Sequence, residues 1–237
     1  MRVLFAMDLL DGKCVRLTRG DYSQAKVYGE DPILMIEQMV NKGARDFHIV
    51  DLNGAKEGRP RHLEIIKAIR ERVPGYMEVG GGVRTKEIVE IYKDLGVDGV
   101  VIGTKALIDP EFLPSVKGIG DITLSLDILN GKPMIMGWKK ESGKDLEEII
   151  KFAEECEVNY LLVTAIERDG TLSGPDFEVL SRVIGSTRIP VIGSGGVRTL
   201  EDVKLLLDMG AYGVVVGKAI YEGKIRIEEV TRFFSEN

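Results

Sequence analysis

The stretch GGVRTKEIVEIYKDLGVDGVVIG at residues 81–103 is repeated 114 positions later as GGVRTLEDVKLLLDMGAYGVVVG at residues 195–217. Thirteen of the 23 aligned positions are identical. Each copy starts with glycines after an apolar strand, continues through a helix with a threonine at its start, and ends in a second apolar strand. The repeat therefore indicates a chain made of two similar halves, each built from strand and helix units.

Outward from this repeat, short apolar strands alternate with amphipathic helices along the whole chain. The predicted strands are residues 3–7, 47–50, 76–79, 99–102, 122–126, 158–163, 191–192 and 213–216. Strands that are nearly all apolar, without alternation of apolar and polar residues, are typical of a parallel sheet covered by helices on its faces. Eight such units predict an α/β fold of the (β/α)8 TIM barrel type, as a single domain over residues 1–237 with half-barrels of about 1–118 and 119–237. An open doubly wound sheet is the alternative, and the repeat favours the closed barrel.

Composition excludes several classes of function. The chain has 32 Lys and Arg against 38 Asp and Glu, a net charge of −6, and no basic cluster, which argues against nucleic acid as a partner. Cys14 and Cys156 lie far apart without further ligands at metal spacing, which argues against a disulfide scaffold and a zinc site. The first apolar run ends at Asp8, and no run approaches the roughly 18 residues of a membrane span. We therefore expect a reduced, cytoplasmic protein with no membrane partner.

Two carboxylates stand at matching places in the two halves. Asp8 begins DLLDGK at the end of the first strand, and Asp127 begins DILNGK at the end of the fifth. In a barrel both would point into the mouth at the carboxyl ends of the strands, where such a pair can act as general acid and general base. A lone strand-end Asp also often caps a turn, but the recurrence favours function. Asp51 is a third candidate, with an ordinary ion pair as the alternative, and Thr164 is its counterpart in the second half.

Glycine-rich strand ends predict two anion sites. Backbone N–H groups exposed at glycines, next to a helix start, bind phosphate well. The candidate phosphate-binding residues are Gly81, Gly82, Gly103 and Thr104 in the first half, and Gly195, Gly196, Gly217 and Lys218 in the second. Single glycine turns are common, but one pair per half suggests a small-molecule substrate with a phosphate at each end.

Several other side chains are candidates for substrate contacts. Arg19 lies in a polar segment, residues 18–30, and Arg16 lies just before it. The segment is long for a loop and suggests either a lid that contacts the substrate or a solvated surface loop. Trp138 is the only tryptophan, and either stacks on a planar ring or packs under a loop. Asp169 lies in a polar turn that can reach a ligand.

The two histidines and the remaining motifs add little. His48 lies among apolar strand residues and is expected to be a core residue or a support for the site, whereas His62 is expected to be exposed. The sequence has no nucleophile elbow, no Walker loop and no metal-ligand cluster.

A family resemblance extends over the whole chain in order. It is carried by DLLDGKCVRL at 8–17, GDY at 20–22, VDLNGA at 50–55, GGGVR at 80–84, GW at 137–138, DGT at 169–171 and SGGV at 194–197. These motifs resemble the phosphoribosylformimino-aminoimidazole-carboxamide ribotide isomerases of histidine biosynthesis. The chain departs from that family at His62, where an Asn is common.

The resemblance implies an Amadori rearrangement of a bisphosphate aminoaldose (ProFAR) to the aminoketose (PRFAR), with no metal and no cofactor. Carried over, Asp8 is the general base that removes the C2 proton and Asp127 the general acid that opens the furanose, with Thr164 assisting. We expect a monomer. Alternatives are a dual-substrate isomerase that also acts on phosphoribosylanthranilate, the related cyclase subunit of imidazole glycerol phosphate synthase, and a noncatalytic phosphate-binding barrel. The last of these would need the glycine loops but not both carboxylates.

Overall fold

Eight parallel strands close into a ring in the computed structural model, which describes residues 1–236, with side chains up to residue 234. The strands are β1 (Arg2–Leu10), β2 (Lys13–Thr18), β3 (Asp21–Gly29), β4 (Asp46–Asp51), β5 (Met77–Gly80), β6 (Gly99–Ile102), β7 (Asp121–Leu129), β8 (Lys132–Ile135), β9 (Lys140–Glu141), β10 (Tyr160–Ala165), β11 (Val191–Ser194) and β12 (Gly213–Val216). The ring runs β1-β4-β5-β6-β7-β10-β11-β12, and the pairing of β12 with β1 closes it. The predicted (β/α)8 barrel is confirmed.

Helices cover the outside of the ring between successive strands. They are α1 (Pro32–Asn41), α2 (Leu52–Glu57), α3 (Leu63–Arg70), α4 (Lys86–Asp94), α5 (Thr104–Ile108), α6 (Phe112–Val116), α7 (Leu146–Glu155), α8 (Phe177–Ser186), α9 (Leu200–Asp208), α10 (Lys218–Tyr221) and α11 (Ile227–Glu236). Side-chain caps fix several of their starts: Asp31 accepts from the N–H groups of Ile33 and Leu34, and Thr199 forms a capping box with Asp202. Each such cap satisfies backbone donors that have no partner inside the helix.

The polar segment 18–30 is mostly strand, not a loop. β1 and β7 are nine residues long, against four for β5 and β11, so both extend beyond the ring. The extension of β1 pairs antiparallel with β2, and β3 continues this hairpin. Tyr22 donates to the backbone oxygen of Leu52 at 3.0 Å, and Lys218 donates to Thr18 at 3.1 Å. The hairpin is therefore held on both sides of β1, by the loop after β4 and by the start of the helix after β12.

The barrel interior is closed at the amino ends of the strands. Its apolar layer consists of Leu4, Ala6, Val101, Leu162, Ile192 and Val215. Below it the guanidinium of Arg2 lies 3.9 Å from the centre of the Tyr76 ring, with the rings of Tyr160 and Tyr212 at 5.9 and 5.6 Å. A cation over aromatic faces is a favourable arrangement when it is shielded from water. The interior is filled at this end, so polar chemistry is confined to the opposite end.

Within residues 1–236, no helix combines the length and apolar character needed to cross a bilayer.

Candidate active site

Two predicted catalytic side chains, Asp127 and Thr164, come from neighbouring strands. β7 and β10 pair in parallel, and Thr164 is the register partner of Asp127. The Thr164 hydroxyl is a hydrogen-bond partner of the Asp127 carboxylate. Asp8 ends the ring portion of β1, which lies three strands from β10. The structure thus places one carboxylate in each half, at the carboxyl ends of the strands.

Asp8 is buried in an ion pair. Arg16, on β2 of the hairpin, donates through Nη1 to Asp8 Oδ1 at 2.8 Å, and both side chains are 11% exposed. The pKa of Asp8 is raised, because the effect of burial exceeds the lowering by Arg16 and by a charge on His48. The pairing Asp8↔Val15 in the hairpin sets this contact, because it places Arg16 next to the strand end. The cation opposes the effect of burial and favours the ionised carboxylate.

Asp127 has neutral partners instead of an adjacent cation. Burial raises its pKa, and hydrogen bonds from Trp138, Ser125 and Thr164 lower it, as does the charge of His48. Ser125 Oγ lies 3.1 Å from Asp127 Oδ1. The Trp138 ring also lies against Gly20 in the hairpin, where an added Cβ would collide with it. Trp138 therefore links the acid of the second half to the hairpin of the first.

Asp169 is a third carboxylate of the mouth, in the loop after β10. Burial raises its pKa to about 6, and the charges of Asp8 and Asp127 also raise it, while Arg16 and Lys218 lower it. The sequence predicted this residue only as a substrate contact. The pKa shift comes mainly from burial in the folded protein, with smaller contributions from Asp8 and Asp127, which are distant in the chain. A carboxyl that titrates near neutrality is a candidate for proton transfer.

The glycine turn of the second half lines a cavity. This cavity is formed by Arg16, Asp169, Gly170, Leu172, Ser194, Gly195, Gly196, Val197, Val215, Gly217 and Lys218. Gly195 and Gly196 have φ of +92° and +84°, a left-handed conformation that favours glycine. Lys218 Nζ donates to the backbone oxygen of Gly170 at 2.7 Å, so its ammonium lies at the edge of the cavity.

The first half repeats this backbone geometry. Gly81 and Gly82 have φ of +106° and +75°. Gly103 has φ −110° and ψ −103°, and Gly217 has φ −113° and ψ −100°. The sequence repeat is thus also a repeat of unusual backbone conformations. In this half Thr104 Oγ1 accepts from the N–H of Met136 at 2.8 Å, which ties the loop after β8 to the glycine turn.

Two predicted substrate contacts are engaged with the protein. Arg19 is exposed, and its Nε donates to the backbone oxygen of Glu167 at 3.3 Å. Asp51 is fully buried, and its carboxylate accepts from the backbone N–H groups of Gly54, Arg61 and His62. Asp51 therefore holds together the loop after β4.

His62, expected to be exposed, is 9% exposed and buried. Its Nδ1 lies 2.8 Å from Asp51 Oδ1, and its Nε2 accepts from the N–H of Gly12 at 3.1 Å. The prediction was wrong because both contacts are long-range: the turn between β1 and β2 folds over the start of α3. His48 is buried on β4, as expected, and its Nδ1 lies 2.6 Å from Glu78 Oε1. Glu78 was not identified from the sequence.

No set of three or more His, Cys, Asp or Glu side chains among the described residues has the arrangement of a metal site.

Comparisons with known proteins place this chain among similar sequences. The family described as "Histidine biosynthesis protein" matches residues 2–226. Three relatives are each named 1-(5-phosphoribosyl)-5-((5-phosphoribosylamino)methylideneamino)imidazole-4-carboxamide isomerase. The protein of Aquifex aeolicus is 43% identical and that of Halothermothrix orenii 39%, over 98% of this chain and 98% and 100% of theirs. The protein of Listeria welshimeri is 40% identical over 98% of this chain and 97% of its own.

Proposed function

The chain belongs to the histidine biosynthesis protein family, and from this membership we propose that it catalyses the isomerase reaction for which these relatives are named. The reaction is the Amadori rearrangement of the aminoaldose ProFAR to the aminoketose PRFAR. The observation that carries the proposal is one strand-end carboxylate per half, Asp8 and Asp127, between two glycine turns of matching conformation. The names of the relatives favour the isomerase over the cyclase subunit.

Asp127 is the proposed general acid. It gives a proton to the ring oxygen of the ribose as the bond from that oxygen to C1 breaks, and the nitrogen lone pair forms a C=N bond. Burial favours the protonated acid, and the partners of Asp127 within hydrogen-bonding distance are neutral. Thr164 and Trp138 orient the carboxyl group.

Asp8 is the proposed general base. It removes the C2 proton, the C–H electrons form the C1=C2 bond, and the C=N electrons return to nitrogen. The enol then loses its hydroxyl proton while C1 gains one, which leaves a ketone at C2. The net change moves hydrogen from C2 to C1, so no external electron acceptor is required. Arg16 favours the ionised form of Asp8, the form that a base needs.

Asp169 is a second candidate for the proton donor. Its pKa of about 6 lets it hold a proton near neutral pH more readily than an ordinary Asp. The Asp127→Val and Asp169→Asn variants distinguish the two candidates, because the true donor is the one whose loss stops ring opening.

The glycine turns are the proposed phosphate sites. The first phosphate cup consists of Gly81, Gly82, Gly103 and Thr104, and the second of Gly195, Gly196, Gly217 and Lys218. They lie on β5/β6 and β11/β12, four strands apart in a ring of eight, so they face each other across the mouth. A substrate with a phosphate at each end fits this arrangement. Three residues are proposed to close over this substrate: Arg16 and Arg19, which belong to the hairpin, and Trp138, which contacts it.

The test is conversion of ProFAR by the purified protein, in deuterium oxide, with products separated by ion exchange. We expect PRFAR with deuterium at C1, and no product from the Asp8→Asn variant. Phosphoribosylanthranilate in a parallel assay tests for a second substrate. The proposal also includes that the protein is a monomer and that it lies in the cytoplasm. The two free cysteines and the biosynthetic names of the relatives are consistent with the cytoplasmic location. Light scattering at the assay concentration tests the monomer.

A further inference from the structure

A fully buried acid, Glu78, lies inside the barrel beneath the active site. It is on β5 and has no exposed surface. Thr123 donates to its Oε2 at 2.9 Å, and its Oε1 lies 2.6 Å from His48 Nδ1. Among the described residues no Lys or Arg forms an ion pair with it. Burial of a carboxylate costs several kcal/mol even when it is hydrogen-bonded. An apolar side chain would fill this place at lower cost, so the acid points to a role beyond packing.

The other partner, His48, lies directly below the catalytic base. His48 is the register partner of Ala6 in β1 and of Glu78 in β5. Asp8 follows Ala6 by two residues and therefore faces the same side of the strand. The ring lies close enough to Asp8 and Asp127 that a charge on it would lower the pKa of both carboxyl groups.

The chemistry of the Glu78 carboxylate decides which ring nitrogen is protonated. An ionised carboxylate offers only acceptors, so a hydrogen bond with His48 requires a hydrogen on Nδ1. The second nitrogen, Nε2, is then available to a ligand in the mouth of the barrel, and in a neutral imidazole this nitrogen accepts a hydrogen bond. Thr123 donates to the other carboxylate oxygen, Oε2, which is not the oxygen that contacts the ring.

We propose that Glu78 is a positioning residue that holds His48 in the Nδ1–H form, so that Nε2 accepts a hydrogen bond from a hydroxyl of the sugar bound between Asp8 and Asp127. This inference rests on the proposed isomerase function. It explains a buried acid that neither proton-transfer step uses. Similar carboxylate–histidine contacts in other sites fix the ring and the position of its proton, and their loss weakens activity.

The first test is the Glu78→Gln variant. Glutamine keeps the size and the hydrogen-bonding capacity, but its amide satisfies either form of His48, so the fixed form is lost. We expect kcat to fall about ten- to a hundredfold, with KM changed less than about threefold. The matched control is Thr123→Val, which removes the other partner of Glu78 and leaves the carboxylate on His48. We expect it to lose stability but to keep kcat within about threefold.

A double mutant tests whether Glu78 acts through His48. In a His48→Asn background, Glu78→Gln should cause no further loss of kcat, because the ring that it positions is gone. If the loss of kcat in the double mutant equals the product of the losses in the two single mutants, Glu78 acts independently of His48, and the proposal is overturned. Unchanged kcat in Glu78→Gln alone would do the same.

The third test needs no variant. Nitrogen-15 NMR of the imidazole in the wild-type protein reports which ring nitrogen carries hydrogen. We expect a proton on Nδ1 of His48 and none on Nε2 throughout the pH range of activity. A proton on Nε2 refutes the inference, because Nε2 could then not accept a hydrogen bond from the sugar. This result does not depend on turnover, so it separates failure of the inference from failure of the proposed isomerase activity.

Discussion

Replacement of Asp8 by Asn tests the proposed base with little disturbance of its surroundings. The amide keeps an oxygen where Asp8 Oδ1 accepts from Arg16 at 2.8 Å. What is lost is the charge on that hydrogen bond, about 1 kcal/mol, from the difference between charged and neutral hydrogen bonds. Proton abstraction, in contrast, contributes about 10² to 10⁴ in rate, or about 2.7–5.5 kcal/mol. We therefore expect kcat to fall by at least about a hundredfold, while the substrate Kd changes less than about tenfold.

The assay combines single-turnover conversion of ProFAR with direct binding of the same substrate by titration calorimetry. Thermal unfolding serves as the control, and a Tm within about 4 °C of wild type excludes a folding defect. The magnitudes separate the two roles of Asp8. A near-normal kcat would refute the assignment of the base. A loss of binding as large as the loss of rate would show that Asp8 holds the substrate instead of reacting with it.

The remaining predictions concern the acid, the cups and pH. Asp127→Val should lower kcat at least about a hundredfold with ProFAR, and substantial residual turnover in a stopped assay would transfer the acid role to Asp169. Gly82→Ala and Gly196→Ala should each raise KM. Both glycines have a left-handed φ, and an added Cβ would collide with a backbone oxygen of the neighbouring loop. An unchanged KM in steady-state kinetics of either variant would argue against the phosphate cup that contains the substituted glycine. Burial raises the pKa of Asp169 to about 6, so its contribution to stability is full below about pH 4 and is lost as the pH rises through about 6. Tm measured against pH should fall less steeply over this interval in Asp169→Asn, and identical slopes would contradict the shift.

The strand-end residues of the site could be predicted from the sequence. Asp8 follows an apolar strand and Asp127 a strand in which apolar residues alternate with Thr123 and Ser125, and strand ends in a closed barrel share one mouth whatever the helices do. Glycines with positive φ could be predicted in the same way, because the repeat shows them at equivalent places. Both arguments depend only on local sequence and on the strand order of the barrel, and both of these can be inferred from the pattern of residues along the chain.

Contacts between distant segments could not be predicted. His62 was expected to be exposed because it precedes a helix, but it contacts Asp51 and the turn at Gly12, which lies 50 residues earlier in the chain. Segment 18–30 has little apolar alternation, yet it forms the strand β3 because β2, which pairs with the extension of β1 on one side, offers unpaired backbone groups on its other side. Glu78 stands in an apolar strand, where its partners His48 and Thr123 come from other strands. In each case the determining neighbour is remote in the chain.

The glycine turns of the two proposed cups lie in separate halves of the barrel, and this fixes the distance between them. The turn at Gly82 packs on the loop after β4, and the turn at Gly196 packs on the loop after β10, so each glycine turn is supported by a loop of its own half. The distance between the cups is therefore set by the closed ring, which is far stiffer than any loop. A fixed distance between the two cups selects ligands by their length. A ligand with two phosphates at the right separation occupies both cups, whereas a ligand with one phosphate leaves one cup to water.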